Sequence, residues 1–190
     1  FLYPRNNNIA KIRTRIPEKT NLLLIAKANA YGLGVVDICK ELNGQLDYIG
    51  VATMTEALEI RQANINTPIL LLSEPMPAEW QQVTANDITI TVYEKETIQE
   101  IDKYATKHNQ TIKTHLKIDI GMTRLGTPWE TSEQTIATWL ASSDQIIKEG
   151  IYSHFANSDT SHELNNTQLE RFSSDQIEGR VRLSGLGSRL

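Results

Sequence analysis

The chain has 190 residues, 39% of them apolar and 22% charged, with a net charge of −4. This is ordinary globular material, long enough for one sizeable core. Mixed charge signs and an aromatic content of 6% exclude a basic, aromatic-studded face for nucleic acid, and no apolar run approaches the roughly 18–20 residues that cross a bilayer. Phe1-Leu2-Tyr3-Pro4-Arg5 lacks the charged-then-apolar order of a signal peptide. It also lacks an initiator methionine, which reads as a start inside a longer protein. The single Cys39 cannot form an internal disulfide and reads as a buried thiol in a reduced, cytoplasmic setting.

In chain order, short apolar runs alternate with amphipathic segments. The first expected strand, Leu22 to Ala26, ends at Lys27 and a glycine-flanked turn, Tyr31-Gly32-Leu33-Gly34. Val35, Ile38, Cys39 and Leu42 then share one helical face. Tyr48 to Ala52 is the second strand, and Thr55 reads as the N-cap of a helix through Glu56-Ala57-Leu58-Glu59-Ile60-Arg61. Ile69 to Leu72 and Ile88 to Val92 follow as strands, then a helix over Glu96 to Lys107 with Ile98 and Ile101 inward. Thr114 to Asp119 is the fifth strand, Glu130 to Ala141 a helix with Ile136 and Leu140 inward, and Gly150 to Ser153 the sixth strand. A last helix spans about Asn166 to Ile177. The Ile, Leu and Val content predicts strands buried on both faces of a parallel sheet.

Strand, helix, strand at near-regular spacing predicts parallel pairing with helical crossovers. The leading architecture is an α/β fold of the (β/α)8 TIM-barrel type, with an open doubly wound sheet as the alternative. No Gly-rich dinucleotide fingerprint follows the first strand, which weakens that alternative. Six strand–helix units are read where a closed barrel needs eight, so the barrel is expected to be incomplete. Residues 1–178 are expected to form this barrel portion and 179–190 a tail that fits no further strand.

Polar residues that could carry chemistry gather where strands end. Lys27 and Tyr31 follow the first strand, Lys117 to Gly126 closes the fifth, and Ser153 to Asp159 closes the sixth. Alone, Lys27 reads as a surface lysine snorkelling from a strand end. A half-desolvated amine there is also what a Schiff-base nucleophile toward an aldehyde cofactor needs. Ala28, Ala30, Gly32 and Gly34 leave the backbone bare enough for a ring and phosphate to approach, and Tyr31 offers a phenol. Lys117 reads equally as an ion-pair partner of Asp119. Arg124 could pair with any carboxylate, or from its glycine-bracketed loop grip a carboxylate or phenolate with its planar fork. His154 could be a satisfied core histidine. His108, His115 and His162 fall at ordinary helix-end, strand and loop positions. There is no Cys pair, His-x-x-x-His or carboxylate triplet, so no metal is expected, and Ser153, His154 and Asp159 lack a nucleophile elbow.

Taken together, the segments Lys27-Ala28-Asn29-Ala30-Tyr31-Gly32, Lys117-Ile118-Asp119-Ile120-Gly121-Met122-Thr123-Arg124-Leu125-Gly126 and His154-Phe155-Ala156-Asn157-Ser158-Asp159 resemble the alanine racemase family. Gly50-Val51-Ala52-Thr53 and Gln168-Leu169-Glu170-Arg171-Phe172 add to the likeness, which covers about residues 5 to 175. The resemblance implies a pyridoxal 5'-phosphate-binding barrel that interconverts L- and D-alanine for peptidoglycan, cytoplasmic and homodimeric in its full-length form. Lys27 would hold the cofactor as a Schiff base and act as the base on the D-alanine side. Tyr31 would contact the cofactor phosphate, and Arg124 the cofactor's phenolic oxygen and the substrate carboxylate. Lys117 would be the position that many members carbamylate, and His154 part of the hydrogen-bond network beneath the second base. The resemblance implies that the second base is a tyrosine of the partner's C-terminal β-domain, a part expected to lie outside these 190 residues. Leu33 and Ile120 depart from the family's usual histidine and threonine, which implies altered packing or a changed hydrogen bond. Alternatives are a fold-type III decarboxylase, a single-domain pyridoxal-phosphate homeostasis protein, and a non-catalytic truncated barrel. Alanine and serine are not distinguished at this level.

Overall fold

A computed structural model describes residues 3–160 and 162–173. The expected tail 179–190 and the end of the last expected helix lie outside them. By contact the chain divides into two compact units, Phe1–Leu72 and Ser73–Leu190.

The first unit opens with helix α1 (Tyr3–Arg13), which the periodicity does not announce. Arg13 anchors its end, donating to the Asp47 carboxylate at 2.7 Å and to the Thr20 and Gln45 carbonyls. Asp47 also accepts the Leu22 N–H at 2.6 Å. That bond and the arginine hold its carboxyl below the ordinary 3.8. Strand β1 (Leu23–Ile25) leads into the short helical turn α2 (Lys27–Tyr31), then helix α3 (Val35–Glu41) and strand β2 (Tyr48–Val51). β1 and β2 pair in parallel, Leu23 opposite Tyr48 and Ile25 opposite Gly50. A Cβ at Gly50 would meet Ile25 Cδ1 at 2.9 Å, so only glycine admits the β1 side chains there. As expected, Val35, Ile38, Cys39 and Leu42 are all buried, and burial pushes the Cys39 thiol up to about 11. Helix α4 (Met54–Gln62) is capped by Thr53 rather than Thr55. Thr53 and Glu56 form a reciprocal capping box, which satisfies orphan N–H groups at both ends of one turn. β2 pairs in parallel with β3 (Ile69–Leu71), which is wholly buried. β1 departs from the two-sided burial expected of it: Leu23 and Leu24 are half-buried and Ile25 is exposed.

In the second unit a 3-10 turn, Pro77–Glu79, precedes helix α5 (Trp80–Ala85), which was not expected. Strand β4 (Ile88–Val92) is buried throughout, helix α6 (Lys95–His108) follows, and strand β5 (Ile112–Asp119) runs parallel to β4. Glu74 ties the start of α6 down, accepting the Tyr93 and Glu94 N–H groups at 2.6 and 2.8 Å and the Thr97 hydroxyl at 3.1 Å. A two-residue strand β6 (Thr127–Pro128) pairs with the end of β5. Helix α7 (Ser132–Leu140) turns Trp139 inward, not only Ile136; Leu140, expected inside, is half-buried. The indole of Trp139 donates to Thr114 Oγ1 at 2.8 Å, which settles a polar pair inside the core. Strand β7 (Ile146–Tyr152) starts earlier than expected and pairs in parallel with β5, with a register shift between Thr114 and His115. Gly150 faces His115 at that shift, where an added Cβ would lie 3.2 Å from the ring. Helix α8 (His162–Phe172) begins before the expected Asn166. No helix of the described residues is long and apolar enough to cross a membrane.

Candidate active site

Lys27 follows β1 directly. The preceding Ala26 is fully buried and its N–H extends the ladder to the Gly50 carbonyl at 2.8 Å, so the strand end is fixed. Lys27 itself is half-buried. From Ala28 to Tyr31 the backbone is left-handed, with φ between 52 and 56° at four consecutive non-glycine residues. Such geometry costs about 1–2 kcal/mol per residue, and strain of this kind persists only where neighbours over-determine it. Four contacts do so: Ala30 N–H to Ala26 O at 2.9 Å, Val35 N–H to Asn29 Oδ1 at 2.7 Å, Gly34 N–H to Asn29 O at 3.1 Å, and Ala28 N–H to Glu56 Oε1 at 2.7 Å. Gly32 and Gly34 continue the positive φ, at 86 and 88°. Beyond Gly32 the space is open: a Cβ there would touch nothing within 4 Å. Tyr31 is 65% exposed, and Leu33 is too exposed to change packing. The other departure, Ile120, is buried and fills core space.

The second set closes β5. Lys117 is buried, its Nζ 5.0 Å from the centre of the Tyr152 ring. Burial pulls its amine below the ordinary 10.5; nearby Asp119 opposes this, and Arg124 adds to it. The alternative reading of Lys117, an ion pair with Asp119, does not form. Asp119 instead organises the next loop, accepting the N–H groups of Gly121 at 2.8 Å, Thr123 at 3.1 Å and Arg124 at 3.0 Å. Burial alone would raise this carboxyl, but those N–H groups outweigh it and hold it below 3.8. Gly126, at φ 126°, lies so close that a Cβ would meet Asp119 N at 2.8 Å. Arg124 is exposed on this loop, and no carboxylate among the described residues forms an ion pair with it. Beneath Lys117, Tyr152 shares a hydrogen bond with Thr91 at 2.8 Å. Burial pushes the Tyr152 phenol up to about 12, so it stays neutral at physiological pH.

The third set closes β7. His154 is exposed, so the core-histidine alternative is set aside. Ser153 Oγ turns back to donate to the Ile118 carbonyl at 2.6 Å, unlike a hydrolase nucleophile. Helix α8 ties this loop and the Arg124 loop to one face: fully buried Gln168 accepts the Ala156 N–H at 3.1 Å, and Arg171 donates to the Ile120 carbonyl at 2.9 Å. The Arg171 guanidinium also stacks 5.4 Å from the Trp129 ring.

Of the residues singled out by sequence, Lys27 and Tyr31 share one turn of the first unit, and Lys117, Arg124 and His154 close neighbouring strands of the second. Asp119, Gln168 and Arg171 were missed as loop holders. The spacing of Gln168 and Arg171, three apart on one helical face, was the available signal.

A family model described as alanine racemase, N-terminal domain, matches residues 5–183. The alanine racemase of Methanococcus maripaludis is 41% identical over 88% of this chain and 46% of its own length. Among solved structures, the alanine racemase of Clostridium difficile 630 in complex with cycloserine superposes with a TM-score of 0.86 at 33% identity, over 97% of this chain and 50% of that one. That of Bacillus anthracis with bound L-Ala-P gives 0.85 at 28% identity, over 97% and 48%. The chain thus spans about half the length of the curated relatives it matches. These likenesses show the fold to be an incomplete TIM-type barrel, as the alternation of parallel strands and helices led one to expect, and the chain belongs to the alanine racemase N-terminal domain family.

Proposed function

We propose that this chain is the pyridoxal 5'-phosphate-binding portion of an amino-acid racemase that interconverts L- and D-alanine, a cytoplasmic homodimer in its full-length form. One observation carries the reading: a half-buried lysine stands at the end of a strand, beside a left-handed turn with bare backbone. The donor set fits the cofactor: an amine for the aldehyde at Lys27, an exposed phenol for the phosphate at Tyr31, and, for the phenolic oxygen and the substrate carboxylate, the Arg124 guanidinium, which no carboxylate among the described residues pairs with. When bound, pyridoxal phosphate supplies an electron sink that makes a substrate α-proton acidic.

Lys27 Nζ would hold the cofactor's aldehyde, and its free amine would take or return the substrate α-proton on one face. Inversion requires a second base on the opposite face, which we place in the part of the relatives beyond this chain. His154 joins the hydrogen-bond network beneath that base. Lys117 is the candidate for carbamylation. Its burial favours the neutral amine that adds carbon dioxide with loss of a proton, and the resulting anion would attract Arg124 instead of repelling it.

The decisive experiment is borohydride reduction of the chain mixed with pyridoxal phosphate, followed by peptide mass analysis. A reduced adduct on Lys27, and loss of the near-visible absorbance band in Lys27→Ala, are expected. No adduct on that peptide refutes the assignment, and alanine racemisation by the 190-residue chain alone refutes the placement of the second base.

A further inference from the structure

Resting on the assignment of Lys27 as the nucleophile, we propose that Glu56 is a positioning residue for it: its carboxylate fixes the left-handed turn, and with it the direction of the lysine amine. Glu56 is the third residue of α4, where its capping-box duty needs a single oxygen. Oε2 performs that duty, accepting the Thr53 N–H at 3.1 Å and the Ala52 N–H at 2.8 Å. Oε1 is left over, and it reaches across to the Ala28 N–H at 2.7 Å. Ala28 is the first left-handed residue, and its N–H belongs to the peptide that joins it to Lys27.

The first N–H groups of any helical turn lack intrahelical acceptors, and a left-handed turn is no different. Glu56 fills that vacancy for the turn that follows β1 while filling the equivalent one at the end of β2. One carboxylate therefore locks two adjacent parallel strand ends. Rotation of the Lys27–Ala28 peptide would swing the lysine stem, and the short charge-assisted bond opposes that rotation.

Glutamine separates this role from simple helix capping. In Glu56→Gln the amide oxygen can still serve the α4 cap, as glutamine does in capping boxes. Its NH2 then faces the Ala28 N–H, donor against donor. Thr53→Ala does the reverse, removing the other half of the cap while leaving Oε1 on Ala28.

Three readouts apply to the 190-residue chain: the rate of adduct formation at Lys27 with pyridoxal phosphate and borohydride, reductive methylation of Lys27 by formaldehyde without cofactor, and amide exchange at Ala28. In Glu56→Gln, Lys27 modification should slow about tenfold and Ala28 exchange accelerate to a similar degree, as expected for loss of one hydrogen bond to a charged acceptor. Other lysines should be unaffected. Thr53→Ala should lower the melting temperature yet leave all three readouts at wild-type values. The proposal is overturned if Glu56→Gln matches wild type, or if Thr53→Ala moves Lys27 reactivity as much as Glu56→Gln does. A wild-type chain that is methylated at Lys27 but forms no pyridoxal-phosphate adduct there would refute the proposed function while leaving the Glu56 test decided by methylation and exchange.

Discussion

Replacing Asp119 by alanine tests how the Arg124 loop is held. Asp119 Oδ1 accepts from Gly121 and Thr123 at 2.8 and 3.1 Å, and Oδ2 accepts from Arg124 at 3.0 Å. A bond to a charged acceptor contributes about 1.5–3 kcal/mol, but these lie at the surface where water competes, so about 0.5–1 kcal/mol each is the fitting figure. Asp119→Ala should therefore lose about 1.5–3 kcal/mol. Asp119→Asn keeps the Oδ1 pair and turns an NH2 toward the Arg124 N–H, and should lose about 1 kcal/mol. The sign of the pH dependence follows from the lowered carboxyl of the folded state. Its stabilisation is complete above the unfolded value and is lost as pH falls through the folded one, so the gap between wild type and Asp119→Ala narrows below about pH 4. Urea denaturation from pH 7 to pH 2.5, with amide exchange at Gly121, Thr123 and Arg124, measures both. An Asp119→Ala loss under about 0.5 kcal/mol at pH 7, or a gap that does not narrow in acid, would refute this account.

Three further outcomes follow from the packing. Gly126→Ala places a Cβ 2.8 Å from Asp119 N at φ 126° and should cost about 2 kcal/mol or more, read as a lowered melting temperature; an unchanged melting temperature would contradict the backbone described. Trp139→Phe removes the buried indole N–H bonded at 2.8 Å to Thr114 and should cost about 1–3 kcal/mol in urea denaturation. Cys39, buried with its thiol pushed up to about 11, should resist an aromatic disulfide reagent at pH 8 until urea unfolds the chain; rapid reaction of the native chain would show an open site.

The strands were legible because their residue types are unambiguous. Ile88 to Val92 is β-branched throughout, and the structure reproduces the expected bounds. β7 starts earlier than the apolar pattern alone implies, because Lys148 and Glu149 interrupt that pattern. In the fold each is satisfied nearby, Lys148 on the Ser142 and Ile146 carbonyls and Glu149 on the Thr89 hydroxyl. α5 offers only Trp80 and Val83 to the interior, too few for a period to emerge. Thr53 rather than Thr55 caps α4, and the glutamate three residues after it is the sequence signal, the spacing of a capping box.

For the candidate site, the residues with reactive groups could be read and the residues that hold them could not. Lys27, Lys117 and Arg124 announce themselves by charge at the end of an apolar run or between glycines. Glu56 and Arg171 act on backbone groups 28 and 51 positions away, a distance at which no local pattern survives. The reason for such holders is physical. Parallel strands end with loops whose N–H and C=O groups find no ladder partner, and buried or half-buried they must be satisfied by something. Here side chains do so: Glu56 for the Lys27 turn, Asp119 and Arg171 for the Arg124 loop, Gln168 for the His154 loop. Each bond meets the backbone's need and also holds the backbone beside a candidate side chain, which is one way a site can be preorganised without its holders touching a ligand. Substituting a holder should thus leave the side chain it serves present and still degrade its placement, whereas substituting Lys27 removes the amine that the proposed function needs and leaves the turn intact.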